Sequence, residues 1–138
     1  MTPDHIPAPS DAGLRVLVVD DLAIVLQAMR TLLEMDGSLV STCESGQAGV
    51  DLFDAALRGG MPFDIVFTDF GMPGMDGGEV ARRIKLARPA TWVVMLTGGG
   101  PAVEGSDAWK MHVDSFLGKP PRLAGLRKVV ADARGLER

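Results

Sequence analysis

Five short runs rich in Val, Leu, Ile and Phe recur along this 138-residue chain, and they limit its fold more than any other feature. The runs comprise residues 14–19, 38–43, 64–68, 92–96 and 113–117. The first, third and fourth runs are almost continuously apolar, which is typical of strands buried on both faces of a parallel sheet. The sequence therefore predicts five β-strands, of which at least these three are covered on both faces.

Segments with helical periodicity separate the runs. Between Leu22 and Leu33 the apolar residues follow the i, i+3, i+4, i+7 pattern of a helix that buries one stripe. Ser45 is a plausible N-cap of the second helix, because its hydroxyl can accept a hydrogen bond from a free backbone N–H group. Asp76 can cap the third helix in the same way, and Glu79 stands three residues later as in a capping box.

Proline and glycine mark the last two helices. Pro101 opens a predicted fourth helix that reaches about Lys110, and a predicted fifth helix runs from Pro121 to a stop at Gly135. Strand and helix thus alternate five times. This alternation predicts an α/β fold in which a doubly wound parallel sheet is connected by right-handed crossovers.

Length and composition limit the number of domains, the kinds of partner and the cellular compartment that we expect. The chain has the length of one domain, which we assign to residues 14–134, with a flexible leader at 1–13 and a C-terminal tail at 135–138. Lys and Arg total 14 against 18 Asp and Glu, which argues against direct binding of nucleic acid. Cys43 is the only cysteine, so a reducing compartment, the cytoplasm, is expected. No apolar run approaches the ~20 residues of a membrane helix, so membrane insertion is not expected.

Charged and polar residues stand where the predicted strands end. Asp20 and Asp21 follow the first strand, Asp69 the third, Thr97 the fourth and Lys119 the fifth. In open α/β sheets, ligands bind at this carboxyl edge. If the first and third strands are neighbours, three carboxylates meet there and need a counter-charge. Mg²⁺, which prefers oxygen ligands and is held by carboxylates and phosphate oxygens, suits such a site.

Four motifs carry these residues in order along the chain. They are Val18-Val19-Asp20-Asp21, Thr68-Asp69-Phe70-Gly71-Met72-Pro73-Gly74-Met75-Asp76-Gly77, Met95-Leu96-Thr97-Gly98 and Phe116-Leu117-Gly118-Lys119-Pro120. Together they resemble the receiver domains of response regulators in two-component signalling, and the resemblance covers residues 14–134. It implies a flavodoxin-like sheet of five parallel strands in the order 2-1-3-4-5, with five helices.

The resemblance also implies a phosphoryl-transfer site. Asp69 corresponds to the phosphoryl acceptor, which forms an acyl phosphate in a Mg²⁺-dependent step. Asp21 corresponds to the main Mg²⁺ ligand, Asp20 assists directly or through water, and Asp69 and the backbone carbonyl of Gly71 supply further oxygens. The expected chemistry is limited to self-phosphorylation and autodephosphorylation, so the chain is expected to be a signalling domain and not an enzyme that turns over a substrate.

Further roles follow from the same resemblance. Thr97 would donate its hydroxyl to the phosphoryl group, and Lys119 would pair with that group and with Asp69. The Lys119–Pro120 bond corresponds to a cis peptide. Phe116 matches a switch aromatic that turns inward when Thr97 moves.

The implied partners are proteins. A histidine kinase or a histidine phosphotransfer protein would donate the phosphoryl group, and a downstream protein would bind the face formed by the fourth helix, fifth strand and fifth helix. The chain would be a monomer or a weak dimer. It is either a stand-alone regulator or a part of a hybrid sensor histidine kinase, with a slight preference for the hybrid kinase from residues 68–83.

Simpler interpretations of single residues stay open. Asp20 and Asp21 could cap the first helix, Asp69 could be a turn residue, and Trp109 is interpreted as a packing residue.

Three other functions compete with phosphoacceptance. A pseudo-receiver would share the fold and act as an interaction module without phosphorylation. A phosphatase of the haloacid dehalogenase type needs a second Asp two residues after its nucleophile, where this chain has Gly71. A flavodoxin-type flavin carrier needs a phosphate loop after the first strand, where this chain has two acids that would repel phosphate.

Overall fold

The computed structural model describes residues 13–98 and 108–135 of the chain. Its five strands are β1 Arg15–Val19, β2 Leu39–Cys43, β3 Ile65–Asp69, β4 Trp92–Thr97 and β5 Ser115–Gly118. They form one sheet in the order β2-β1-β3-β4-β5, and all four pairings are parallel. The predicted flavodoxin-like strand order is therefore confirmed.

Four α-helices lie in the described residues, three of them between consecutive strands and one after the last strand. They are α1 Ala23–Met35, α2 Gly46–Arg58, α3 Gly77–Ala87 and α4 Leu123–Arg134, together with a short 3-10 helix at Ala108–His112. The Ser45 hydroxyl accepts a hydrogen bond from the Ala48 N–H, and the Asp76 carboxylate accepts one from the Glu79 N–H. Both predicted N-caps are therefore present. The C-cap of α4 is Gly135, whose φ of 79° lies in the left-handed region that favours glycine.

Two apolar layers cover the sheet. Because successive side chains of a strand point to opposite faces, Val16 and Val18 of β1 face one layer while Leu17 and Val19 face the other. The first layer is formed mainly by α1 and α4, and the second by α2 and α3. Their fully or almost fully buried helix residues include Leu26, Met29 and Leu126 in the first layer and Val50, Phe53 and Ile84 in the second. Burial on both faces holds the strand ends in fixed positions at the carboxyl edge.

The fifth strand begins two residues later than the sequence predicts. Val113 continues the preceding turn, because its N–H donates to the Lys110 carbonyl. Asp114 has an ion pair with Lys85 and accepts a hydrogen bond from the Val93 N–H. The Asp114 side chain thus binds residues of α3 and β4, and the regular strand starts at Ser115.

Some predicted segments extend beyond the described residues. Most of the predicted fourth helix, from Pro101 to Asp107, lies outside them, and the described part near Lys110 is 3-10 helix. The predicted leader, except for Gly13, and the last three residues of the predicted tail also lie outside. None of the helices in the described ranges is long and apolar enough to cross a membrane.

Candidate phosphoryl-transfer site

The ends of four strands bring the predicted site residues to one edge of the sheet. β1 and β3 are neighbours, with Val19 paired to Thr68, so Asp20 and Asp69 lie side by side. Thr97 ends β4 and pairs with Gly118 of β5, the residue that precedes Lys119. The parallel topology therefore assembles residues that are up to 99 positions apart in the sequence.

Three carboxylates form an acidic cluster. Asp20, Asp21 and Asp69 each offer an oxygen, and these oxygens all lie within 4.8 Å of one another. Asp20 is completely buried, Asp69 is 8% exposed and Asp21 is exposed to solvent. Burial raises the pKa of the Asp69 carboxyl and the neighbouring Asp20 raises it further, although the hydrogen bond from Lys119 acts in the opposite direction. The cluster thus combines buried and accessible oxygens around one point.

Lys119 supplies the positive charge of the site. Its Nζ donates to Oδ2 of Asp20 and to Oδ1 of Asp69, at 3.1 Å in each case. Burial by itself would lower the pKa of Lys119, but the bonds to the two carboxylates outweigh that effect and its pKa lies above the ordinary value. The ammonium group is therefore charged and held between the carboxylates. The sequence predicted the pair with Asp69, whereas it gave no specific signal for the pair with Asp20.

The side chains of the first two acids do not cap the first helix. The N-cap of α1 is Leu22, whose apolar side chain cannot accept a hydrogen bond from the free N–H groups of the helix. Oδ1 of Asp20 accepts from the backbone N–H of Leu22, two residues on, and this bond fixes the carboxylate beside the sheet edge. Both oxygens of Asp20 are thus engaged, and the capping interpretation of Asp20 and Asp21 is wrong.

The loop after Asp69 turns sharply beneath the site. The Phe70 carbonyl accepts hydrogen bonds from the N–H groups of Met72, at 3.2 Å, and Gly77, at 2.7 Å. A Cβ atom on Gly77 would overlap the Asp69 carbonyl oxygen and approach the Phe70 Cα to 2.8 Å, so only glycine permits this approach. Gly71 lies exposed in the same loop, with open space where its side chain would be.

The remaining predicted residues lie at the end of β4, on β5 and in the turn that follows β5. Thr97 is partly buried, and its backbone carbonyl accepts from the Lys119 N–H at 2.9 Å. The Lys119–Pro120 peptide bond is cis. Phe116 points away from the interior, with 49% of its surface exposed.

A chain of aromatic rings lies beside the site. It confirms the interpretation of Trp109 as a packing residue, although the sequence did not indicate the partners of that residue. The Trp109 ring lies 5.0 Å from the ring of Phe70 and 6.0 Å from that of Phe116, measured between centroids. Phe70 directly follows Asp69, so the rings extend from the acidic cluster to the exposed edge of the sheet. Phe70 and Trp109 are 39 residues apart and Trp109 and Phe116 are 7 apart, so these contacts leave no periodic pattern in the sequence.

Comparison with known proteins agrees with this geometry. The family model described as the response regulator receiver domain matches residues 16–131. The sensor histidine kinase RcsC of Salmonella typhi is 33% identical over 124 residues, which cover 90% of this chain and 13% of the kinase. The chain spans less than half the length of the first curated relatives that it matches.

Solved structures show the same architecture. A response regulator receiver domain protein from Clostridium thermocellum has a TM-score of 0.78 and 32% identity, over 89% of this chain and 95% of that one. The response regulator TrrA from Thermotoga maritima, solved in complex with Mg²⁺-BeF, has a TM-score of 0.73 and 26% identity, over 86% and 97% of the two chains. Fold, motif order and family match lead to one conclusion: this chain belongs to the response regulator receiver domain family.

Proposed function

We propose that this domain takes a phosphoryl group onto Asp69 in a Mg²⁺-dependent step and changes its conformation in response. The observation that carries the proposal is the position of the Asp69 carboxylate, which lies between two further carboxylates and the ammonium group of Lys119. Phosphoryl transfer depends mainly on positioning and on cations near the peripheral oxygens of phosphorus. This site provides a fixed nucleophile, one fixed cation and oxygens for a second cation.

The donor set fits Mg²⁺. Asp21 and Asp69 offer hard oxygen ligands, and the exposure of Asp21 leaves room for the water ligands that Mg²⁺ retains. Asp20, whose two oxygens already accept from Leu22 and Lys119, would assist directly or through water. We assign a further ligand oxygen to the Gly71 carbonyl. When bound, Mg²⁺ would neutralise charge on the acids and on the incoming phosphoryl oxygens.

Asp69 and Lys119 perform the proposed transfer. A carboxylate oxygen of Asp69 forms a bond to phosphorus, while the bond between phosphorus and the imidazole nitrogen of the donor breaks and the nitrogen retains the electron pair. Lys119 stays beside the new acyl phosphate and pairs with one of its oxygens. Thr97 donates its hydroxyl to another oxygen, and Phe116 moves with Thr97.

The proposed partners are proteins. The donor is a phosphohistidine of a histidine kinase or a histidine phosphotransfer protein, which is consistent with relatives that include sensor kinases and transcriptional regulatory proteins. The output is a protein contact through the face of the predicted fourth helix, β5 and α4, by a monomer or weak dimer. We place this reaction in the cytoplasm, where Cys43 stays a free thiol. The chain turns over no separate substrate.

Phosphoramidate tests the proposal directly, because its phosphorus–nitrogen bond resembles that of phosphohistidine. The protein is incubated with phosphoramidate and Mg²⁺, reduced with borohydride, which converts an aspartyl phosphate to homoserine, and digested for peptide mass analysis. The proposal predicts homoserine at position 69, and none without Mg²⁺. Unmodified Asp69 in a folded protein would instead favour a pseudo-receiver that acts without phosphorylation.

A further inference from the structure

The indole of Trp109 is packed on several sides at the border of the phosphoryl-transfer site. Its ring contacts Phe70 and Phe116, and Nζ of Lys110 lies 5.8 Å from its centroid. On another side, a Cβ atom added to Gly78 at the start of α3 would approach the Trp109 Cβ to 2.8 Å. Trp109 thus fills the space between the loop after Asp69, α3 and β5.

This packing leaves one polar group unsatisfied. The Nε1–H group of Trp109 is buried and has no hydrogen-bond acceptor among the residues that the structure describes. By contrast, the indole N–H of Trp92 donates to the Ser115 hydroxyl at 3.0 Å. A buried donor without an acceptor is unfavourable, and such groups are rare in folded proteins. The observed position of Trp109 is therefore destabilised relative to one in which its N–H finds an acceptor.

Acceptor groups line a cleft close by, where Glu79 already accepts from Arg82 and Arg83. An open cleft of about 350 Å³ lies between the start of α3 and the 3-10 helix, and Trp109 forms part of its wall. The carboxylates of Asp76 and Glu79 and the imidazole of His112 line the same cleft. An indole turned toward the cleft would present its N–H to these groups or to water. It would also loosen its contacts with Phe70 and Phe116.

We propose that Trp109 is the positioning residue that transmits the state of Asp69 to Phe116, by moving between its packed position and one in which its N–H is satisfied at the cleft. This inference rests on the proposed function, because phosphorylation of Asp69 is the event that it transmits. Phe70 is bonded directly to Asp69 and contacts Trp109, so a shift of the acceptor loop acts on the indole first. The indole then releases Phe116, so that this half-exposed ring is free to move with Thr97.

The test uses the ¹⁵N-labelled full chain and the phosphoryl mimic beryllofluoride with Mg²⁺. The two indole N–H signals are assigned with Trp92→Phe, and the amide signal of Asp69 reports occupancy of the site. We expect the Trp109 indole signal to move downfield as its N–H gains an acceptor, while the Trp92 signal, already hydrogen-bonded, changes much less. In Trp109→Ala the Asp69 signal should still shift and the Phe116 amide should lose most of its response.

Two variants serve as controls. Trp92→Phe removes a hydrogen bond to Ser115, the neighbour of Phe116 on β5, and should leave the Phe116 response intact. Trp109→Phe keeps a ring against Phe70 but has no N–H, so it remains informative if Trp109→Ala does not fold. A Phe116 response as large in Trp109→Phe as in the wild type would overturn the role of the N–H group.

The remaining outcomes separate the two proposals. A shifted Asp69 signal with an unchanged Trp109 indole would overturn the inference and leave phosphoacceptance intact. An unchanged Asp69 signal in a folded protein would contradict phosphoacceptance, and the inference with it.

Discussion

The ammonium group of Lys119 lies 3.1 Å from Oδ2 of Asp20, a carboxylate that is completely buried and 99 residues away in the sequence. The same ammonium group binds Asp69, so one lysine pairs with both buried carboxylates of the described residues. Removal of one member of a buried ion pair is more costly than replacement of both, because the remaining charge loses its partner.

Replacement of Lys119 should therefore destabilise the fold. We expect Lys119→Met to lower the free energy of unfolding at neutral pH by about 3–5 kcal/mol, the typical effect of breaking a buried pair. Urea denaturation measures the change. The double variant Lys119→Met/Asp20→Asn should recover part of the loss, since it removes one of the two carboxylate charges that the substitution leaves unpaired. Equal destabilisation in the single and double variants would show that the ion pair is not the cause.

Asp21 should matter for the metal and little for stability. Its side chain is exposed, so Asp21→Asn should change the free energy of unfolding by no more than about 0.5 kcal/mol. Calorimetric titration should nevertheless show a marked loss of Mg²⁺ affinity, because a ligand oxygen at the acidic cluster loses its charge. Glu44→Gln is the matched control, an exposed acid just after β2 at the same edge of the sheet. Equal losses of Mg²⁺ affinity in the two variants would show that Asp21 acts only through its negative charge and not as a ligand.

The turn after Asp69 should depend on Gly77. We expect Gly77→Ala to destabilise the protein by about 1–3 kcal/mol or more, because the new methyl group overlaps the backbone of Asp69 and Phe70. Gly71→Ala, in the same loop, provides the comparison, since nothing lies within 4 Å of its added Cβ atom. Denaturant unfolding of both variants should show a loss for Gly77→Ala alone. Similar free energies of unfolding for the two variants would mean that the structure accommodates the methyl group at position 77 without loss of stability.

Glu79 should titrate far below an ordinary glutamate. Hydrogen bonds from Arg82 and Arg83 lower its pKa from 4.5 to about 2. Because the folded-state pKa is depressed, the stability that this carboxylate confers is complete above pH 4.5 and is lost as the pH falls through 2. Carboxyl ¹³C NMR measures the titration directly. Arg82→Gln should raise the midpoint, and a midpoint near 4.5 in the wild type would contradict the observed pairing.

The sequence predicted the architecture well because the signals for it are local. Apolar runs, helical stripes and capping residues such as Ser45 and Asp76 each report on a few neighbouring residues. β1, β3 and β4 accordingly lie within one residue of their predicted bounds. β5 starts later than predicted because Asp114 is held by Lys85 and by the Val93 N–H. These contacts join distant parts of the chain.

The site was predictable only in part for the same reason. Strand ends of a parallel sheet meet at one edge, so the approach of Asp20, Asp21, Asp69 and Lys119 followed from topology. Which carboxylate would be buried, and which would bind Lys119, depended on the depth of each side chain in the fold. The contact of Trp109 with Phe70 likewise arises from tertiary packing, and only the absence of a Cβ at Gly78 permits it.

The most direct test of phosphoacceptance is the intact mass of the protein after incubation with acetyl phosphate. The wild type and Asp69→Ala are compared, each with Mg²⁺ and with a chelator. The account predicts a single added phosphoryl group in the wild type with Mg²⁺, and none when either Mg²⁺ or Asp69 is absent. An adduct that persists in Asp69→Ala, or a folded wild type that acquires no adduct and binds no beryllofluoride, would contradict the assignment of Asp69 as the acceptor.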